Sequence, residues 1–233
     1  MSYELDLETI DRDGAVREAA DAVSGDTRLD FLRKAGIGTA GLVSGGAVLS
    51  ALAPAALAAG GRPSASFGMG DIGILNYALT LEYLEAAFYN GASAANLPLS
   101  PQARAFLATV TKDENAHVAF LKQHLGAKAA KEPKFDFKGA NTNAEMFMKT
   151  AQVLENTGVH AYSGQALNIK SVAYVKAALS ILTVEARHAS VIGLLNEGAG
   201  PSGTEIAPDG PFDTPFTASK VLAAVKGTGF IVG

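Results

Sequence analysis

Cysteine is absent from all 233 residues. That excludes disulfides, thiolate metal sites, iron–sulfur clusters and a cysteine nucleophile. Tryptophan is absent too, and histidine occurs only four times. Charge is sparse: Asp, Glu, Lys and Arg make up 18% of the chain, against about 25% in an ordinary soluble domain. With a net charge of -4 and no basic run, the chain lacks the electrostatic footprint of a nucleic-acid surface. Apolar residues fill what is left, 48% in all. The chain is too apolar to be disordered throughout and long enough to bury a real core. Abundant Ala, Leu and Glu favour helix.

The charge divides unevenly. Residues 1–58 hold nine acidic and five basic side chains, and residues 59–233 hold 14 of each. The excess of acid therefore lies wholly in the first segment. No charged residue occurs between Lys34 and Arg62, a span longer than the roughly 20 apolar residues that cross a bilayer. The basic string T-R-L-D-F-L-R-K (27–34) precedes it, and the small residues Ala56-Leu57-Ala58 follow. Basic flank, apolar run and small-residue exit are the parts of an export signal. Arg28, Phe31 and Leu32 resemble a twin-arginine signal, with Leu29 standing where its second arginine belongs. Residues 1–58 thus read as an export signal or a membrane anchor. The protein is expected to be exported, or anchored through residues 35–59, with membrane contact only through that segment. The rest suits one domain.

Four amphipathic stretches follow. The first begins after Gly70, with Asp71 as N-cap, and runs to about Asn90; Ile74, Tyr77, Leu81, Leu84 and Phe88 keep helical spacing. The second opens at Ser100-Pro101 and stops at Gly126. The third runs from near Asn143 to about Asn168, and the fourth from Ser171, its N-cap, to Gly198. Short loops one and three make two antiparallel hairpins, and the long stretch from Ala127 to about Thr142 joins them. That is an all-α, ferritin-like four-helix bundle over 59–198 with one long crossover. The Gly/Pro-rich segment 199–233 is an extension with one short helix around Val221–Val225.

The hairpins resemble each other. Glu82 is followed seven residues on by Tyr89, and Glu155 by Tyr162. The second helix carries Glu114 and His117, the fourth Glu185 and His188. The sequence offset is 32 residues from Glu82 to Glu114 and 30 from Glu155 to Glu185. In a helix, residues i and i+3 lie side by side, so each E-x-x-H aims a carboxylate and an imidazole at one point. Four facing carboxylates in a bundle core would be very unfavourable alone, since each unpaired buried charge costs several kcal/mol. Two divalent cations balance them. Oxygen and imidazole donors suit iron or manganese. One Glu from each of two helices plus Glu-x-x-His from the other two is the ligand pattern of di-iron and di-manganese carboxylate bundles.

With these motifs, and with L-N-Y-A-L-T-L-E-Y-L-E-A-A-F-Y (75–89) and P-F-D-T-P (211–215), the chain resembles the ferritin-like superfamily. Within it, the resemblance is to exported bacterial ferritin-like-domain proteins of the desiccation-related type, over about residues 70–198. The resemblance implies Glu82 and Glu155 as terminal ligands, Glu114 and Glu185 as bridges, and His117 and His188 each completing one of two Fe or Mn ions. It implies Tyr89 and Tyr162 as hydrogen-bond partners of the ligands or as redox-active groups. Metal ions and small oxidants are the implied partners.

Some positions keep two readings. Glu85 competes with Glu82 as first-helix ligand, and the tyrosine at +7 and the internal repeat favour Glu82. His160 reads as a hydrogen-bonded core histidine, His124 as a surface residue, and Met146 and Met148 as core filler. Lys128, Lys131, Lys134 and Lys138 read as solvated. Three functions stay open: a di-metal oxidoreductase of ferroxidase or peroxidase/catalase type, a metal-binding protective protein without turnover, and a structural bundle. Fold alone does not choose among them. One expectation is independent of that choice. A reporter fused to residues 1–62 is expected to cross the membrane in a manner dependent on Arg28, and a cytosolic reporter would refute the leader.

Overall fold

The computed structural model describes residues 61–198 and 205–232, so the leader lies outside the described residues. Five helices follow in order: α1 (Gly70–Ala94), α2 (Pro101–Leu125), α3 (Ala144–Gln165), α4 (Val172–Glu197) and α5 (Ala218–Thr228). No strand occurs among the described residues; the one β-bridge pairs Phe135 with Ile231.

The start signals act largely where the sequence puts them. Ser100 Oγ accepts the Ala103 N–H at 3.1 Å, Asn143 Oδ1 accepts from Met146, and Thr217 Oγ1 accepts from Lys220. Each satisfies one backbone donor that the first turn would leave orphaned. Two expectations need correction. The residue before α1 is Met69, and Asp71 lies inside the first turn. Its carboxylate instead accepts the Lys170 and Ser171 N–H groups, both at 2.9 Å, and so pins the entry to α4. Ser171 itself makes no capping bond.

The helices pack as a ring. α1 lies on α2 and α3 on α4 within the hairpins, while α2 meets α4 and α1 meets α3 across them. The long connection therefore runs between the diagonal helices α2 and α3. Asn76 anchors its start: Nδ2 donates to the Phe67 and Lys128 carbonyls, and Oδ1 accepts the Ala130 N–H. The four lysines of the crossover are exposed, as solvated side chains should be.

Two apolar clusters share the interior. One contains Leu79, Tyr83, Leu121, Leu125 and Ile181. The other centres on Phe88, stacked on Phe147 with ring centroids 5.5 Å apart and edge-on to Phe137 at 5.4 Å. α5 belongs to this second cluster through Val221 and Val225. Met148 packs against it, whereas Met146 is exposed and is not core filler, because its place on the first turn of α3 faces outward.

The C-terminal segment docks on α3 through backbone. Phe216 N–H donates to the His160 carbonyl at 3.0 Å, His160 Nδ1 bonds the Thr214 carbonyl at 2.7 Å, and its ring stacks on Phe216. A Cβ at Gly164 would stand 1.8 Å from the Phe216 carbonyl oxygen, so only glycine admits this approach. Gly164→Ala is expected to destabilise the fold by about 1–3 kcal/mol, the usual cost of overpacking. Hydrogen exchange should rise in residues 211–218 first; unchanged protection there would show that the docking does not depend on the glycine.

Candidate metal centre

Glu82, Glu114, Glu155 and Glu185 show no exposed surface, and His117 and His188 are buried beside them. Their positions follow from the helices. Each Glu/His pair at i, i+3 shares one face of α2 or α4, and Glu82 and Glu155 come from the middle of α1 and α3. The ligand atoms form two groups, each within 4.8 Å of one another: Glu82, Glu114, His117 and Glu185, and Glu114, Glu155, Glu185 and His188. Glu114 and Glu185 belong to both.

The distances have a pattern that hydrogen bonding does not explain. His117 Nδ1 lies 3.2 Å from three oxygens on three helices: Glu82 Oε2, Glu114 Oε2 and Glu185 Oε1. One ring nitrogen carries at most one proton, so it cannot donate to all three. His188 Nδ1 lies 3.2 Å from Glu114 Oε1 and 3.3 Å from Glu155 Oε2. Ligand atoms about 2.1 Å from one ion stand about 3.0 Å apart in an octahedron and about 3.4 Å in a tetrahedron. The observed spacings of 3.2–3.3 Å are compatible with edges of such polyhedra. Glu114 sends one oxygen to each group, which is the geometry of a bridge.

The unused atoms agree. Glu82 Oε2, Glu114 Oε1, Glu155 Oε2, both Glu185 oxygens and His188 Nδ1 are buried without a hydrogen-bond partner. Native proteins rarely leave such groups unsatisfied, and a cation is what this donor set fits. The other oxygens of the two outer glutamates are occupied. Tyr89 O–H donates to Glu155 Oε1, and Tyr162 O–H donates to Glu82 Oε1. The tyrosines thus serve the opposite hairpin, not the glutamate two turns away on their own helix.

Two residues sharpen the sequence picture. Asp113 Oδ2 lies 3.1 Å from His188 Nε2, so the imidazole can give its proton outward and keep Nδ1 as a lone pair toward the centre. The signal for Asp113 was its place beside Glu114. Glu85 is the second: it is buried with Glu82, so the two are not alternatives. His160 and His124 stay outside the centre, the first on Thr214 and the second bonded to the Phe120 carbonyl at the surface. Beyond His188, an apolar groove of about 750 Å³ opens between α2 and α4, with Phe106, Val110, Asp113 and Val191 in its walls.

Without positive charge this interior is strained electrostatically. Burial pushes the Glu114 carboxyl up to about 7, with His117 and His188 opposing the rise. Burial and then neighbouring carboxylates hold Glu85 and Glu185 well above the usual range. His188 is pushed up to about 11: burial works against its charge, but Glu114 and Glu155 outweigh it. His117 is raised further by Glu114, Glu185 and Glu82.

All five shifts are upward, so all five act in one direction on stability. Each contribution is complete below the group's ordinary pKa and is lost as pH climbs toward the raised one. The acids Glu145 and Asp209 are lowered, so their contributions run in the opposite direction and at lower pH. The metal-free chain is therefore expected to melt highest near pH 5 and progressively lower toward pH 8. Added Mn(II) or Fe(II) should raise Tm most at the alkaline end, where protons compete least for the same oxygens. A metal-free Tm that rises from pH 5 to 8 would contradict this electrostatic picture.

No match was found among curated proteins. A family model described as ferritin-like domain matches residues 70–197, from the first residue of α1 to the last of α4. That segment covers more than half of the chain and contains all six residues of the two ligand groups, and the chain belongs to the ferritin-like domain family.

Proposed function

We propose that the chain holds two ions of iron or manganese and uses them in redox chemistry with O2, peroxide or Fe(II), in a protective role outside the cytoplasm. One observation carries the reading: His117 Nδ1 stands 3.2 Å from three carboxylate oxygens on three different helices. An ion shared by the four atoms accounts for that convergence. Two divalent ions neutralise the charge of Glu82, Glu114, Glu155 and Glu185, which removes the main cost of burying them. When bound, such a pair supplies two-electron redox chemistry at adjacent metals.

The protein's own part is positioning. Glu114 and Glu185 span the two positions, and Glu82 and Glu155 each close one side. Tyr89 and Tyr162 each hold one oxygen of an outer glutamate, which leaves the other oxygen turned inward. Asp113 keeps His188 in the ligating tautomer. The apolar groove at His188 suits passage of a small uncharged oxidant better than of a charged one. Iron or manganese is favoured over softer metals because every donor is oxygen or imidazole.

The test is elemental analysis of the full chain after reconstitution with Fe(II) without oxygen, or with Mn(II). About two tightly held ions per chain are expected, with Glu114→Ala losing both because it removes a ligand from each position. Consumption of O2 or peroxide by the loaded protein would support turnover. Uptake without consumption would favour a metal-binding role without catalysis. No uptake by the wild-type chain would overturn the reading.

A further inference from the structure

The two hairpins repeat each other at the ligands but not behind the two imidazoles. Asp113-Glu114-x-x-His117 on α2 corresponds to Val184-Glu185-x-x-His188 on α4. Both imidazoles turn Nδ1 toward the carboxylates of the centre. Their outward nitrogens differ. His188 Nε2 lies 3.1 Å from Asp113 Oδ2, a contact that crosses from α4 to α2. The reciprocal contact would join His117 to Val184, which has no side-chain atom that accepts a hydrogen bond. Among the described residues His117 Nε2 has no partner.

We propose that Asp113 makes the two metal positions unequal: the position closed by His188 holds its ion more tightly, and the position closed by His117 is where ions exchange. The inference rests on the two-metal reading above. A neutral imidazole carries one N–H, and only its other nitrogen can ligate. Asp113 accepts the Nε2 proton of His188, which fixes Nδ1 as the ligating atom, aims the ring and adds negative charge behind the ligand. His117 must choose its tautomer without such a partner, and its ring is held from the inner side alone. The rest of the two positions matches. Each takes one outer glutamate, both shared glutamates and one histidine. Each outer glutamate has a tyrosine on its second oxygen. Among the described residues, Asp113 is the one without a counterpart that bonds a ligand. Its side chain is 39% exposed, so the core does not need it as filler. Asp113 acts through His188 and is a positioning residue.

Shared glutamates couple the two ions, so the experiment reads each position alone. Glu82→Gln takes a ligand from the His117 position only, and Glu155→Gln from the His188 position only. Wild type, these two variants and each of them combined with Asp113→Val or Asp113→Asn are titrated as full chains with Mn(II). Free Mn(II) is read by electron paramagnetic resonance, and circular dichroism without metal checks that each chain is folded. Wild type is expected to bind two ions. Glu82→Gln, left with the His188 position, should hold its ion about tenfold or more tighter than Glu155→Gln holds its own, the scale set by a partner behind a ligating histidine. Asp113→Val should remove that advantage from Glu82→Gln and leave Glu155→Gln unchanged. Asp113→Asn keeps an acceptor for the Nε2 proton and should retain part of what valine loses. Equal affinities in Glu82→Gln and Glu155→Gln, a tighter ion in Glu155→Gln, or equal weakening of both by Asp113→Val would each overturn the proposal and leave the two-metal reading standing. A wild-type chain that binds neither Mn(II) nor Fe(II) would remove that reading and this proposal with it.

Discussion

Mutual repulsion among buried carboxylates is the constraint around which this bundle is built. Glu82, Glu85, Glu114, Glu155 and Glu185 meet in an interior that is otherwise apolar. Such a group of charges would normally drive water in or the helices apart. Two imidazoles supply part of the opposing charge, and two tyrosines supply hydrogen bonds. The aromatic stack of Phe88 and Phe147, the docked C-terminal segment and α5 add apolar packing on the same helices. The packing stabilises a fold that the uncompensated carboxylates work against. A charge-compensating ion would turn the same residues from a cost into a cross-link among four helices.

The legible parts of the sequence were those with short-range causes. Ser100-Pro101, Asn143 and the glycines after α2 and α4 mark helix ends because capping is local chemistry. The ligands were legible because helical periodicity puts Glu114 with His117 and Glu185 with His188, and because the repeat supplied a second copy of each. The misreadings came from partners distant in sequence. Asp71 looks like a cap for its own helix, yet its acceptors serve Lys170 and Ser171 about a hundred residues away. Glu85 looked like a rival to Glu82, because nothing in the local spacing announces that both are buried. Tyr89 and Tyr162 stood out by their spacing, but which glutamate each would bond depends on how α1 lies against α3.

The ring of helices also sets where the centre can be reached. The contacts within each hairpin are extensive and those between the hairpins thinner, and the groove opens between α2 and α4. His188 and its partner Asp113 stand in that groove, whereas Glu82 and Glu155 are closed in by tyrosines. The groove thus lies on the α2–α4 side, while on the α1–α3 side the tyrosines close over the outer glutamates.

The crossed tyrosines relate the two halves of the bundle reciprocally. Tyr89 of the first hairpin bonds Glu155 of the second, and Tyr162 of the second bonds Glu82 of the first. Residue i of one half meets j of the other, and j of the first meets i of the second, which is the reciprocity of a twofold homodimer interface. Neither hairpin alone could finish a single ligand group, because each group draws on α2 and α4 together. The two halves are arranged as the subunits of such a dimer would be, with the candidate ligand groups at their junction. Joined in one chain they need not be identical: one half carries acids at 85 and 113, where the other has Gly158 and Val184, a difference that no symmetric dimer of one sequence could hold.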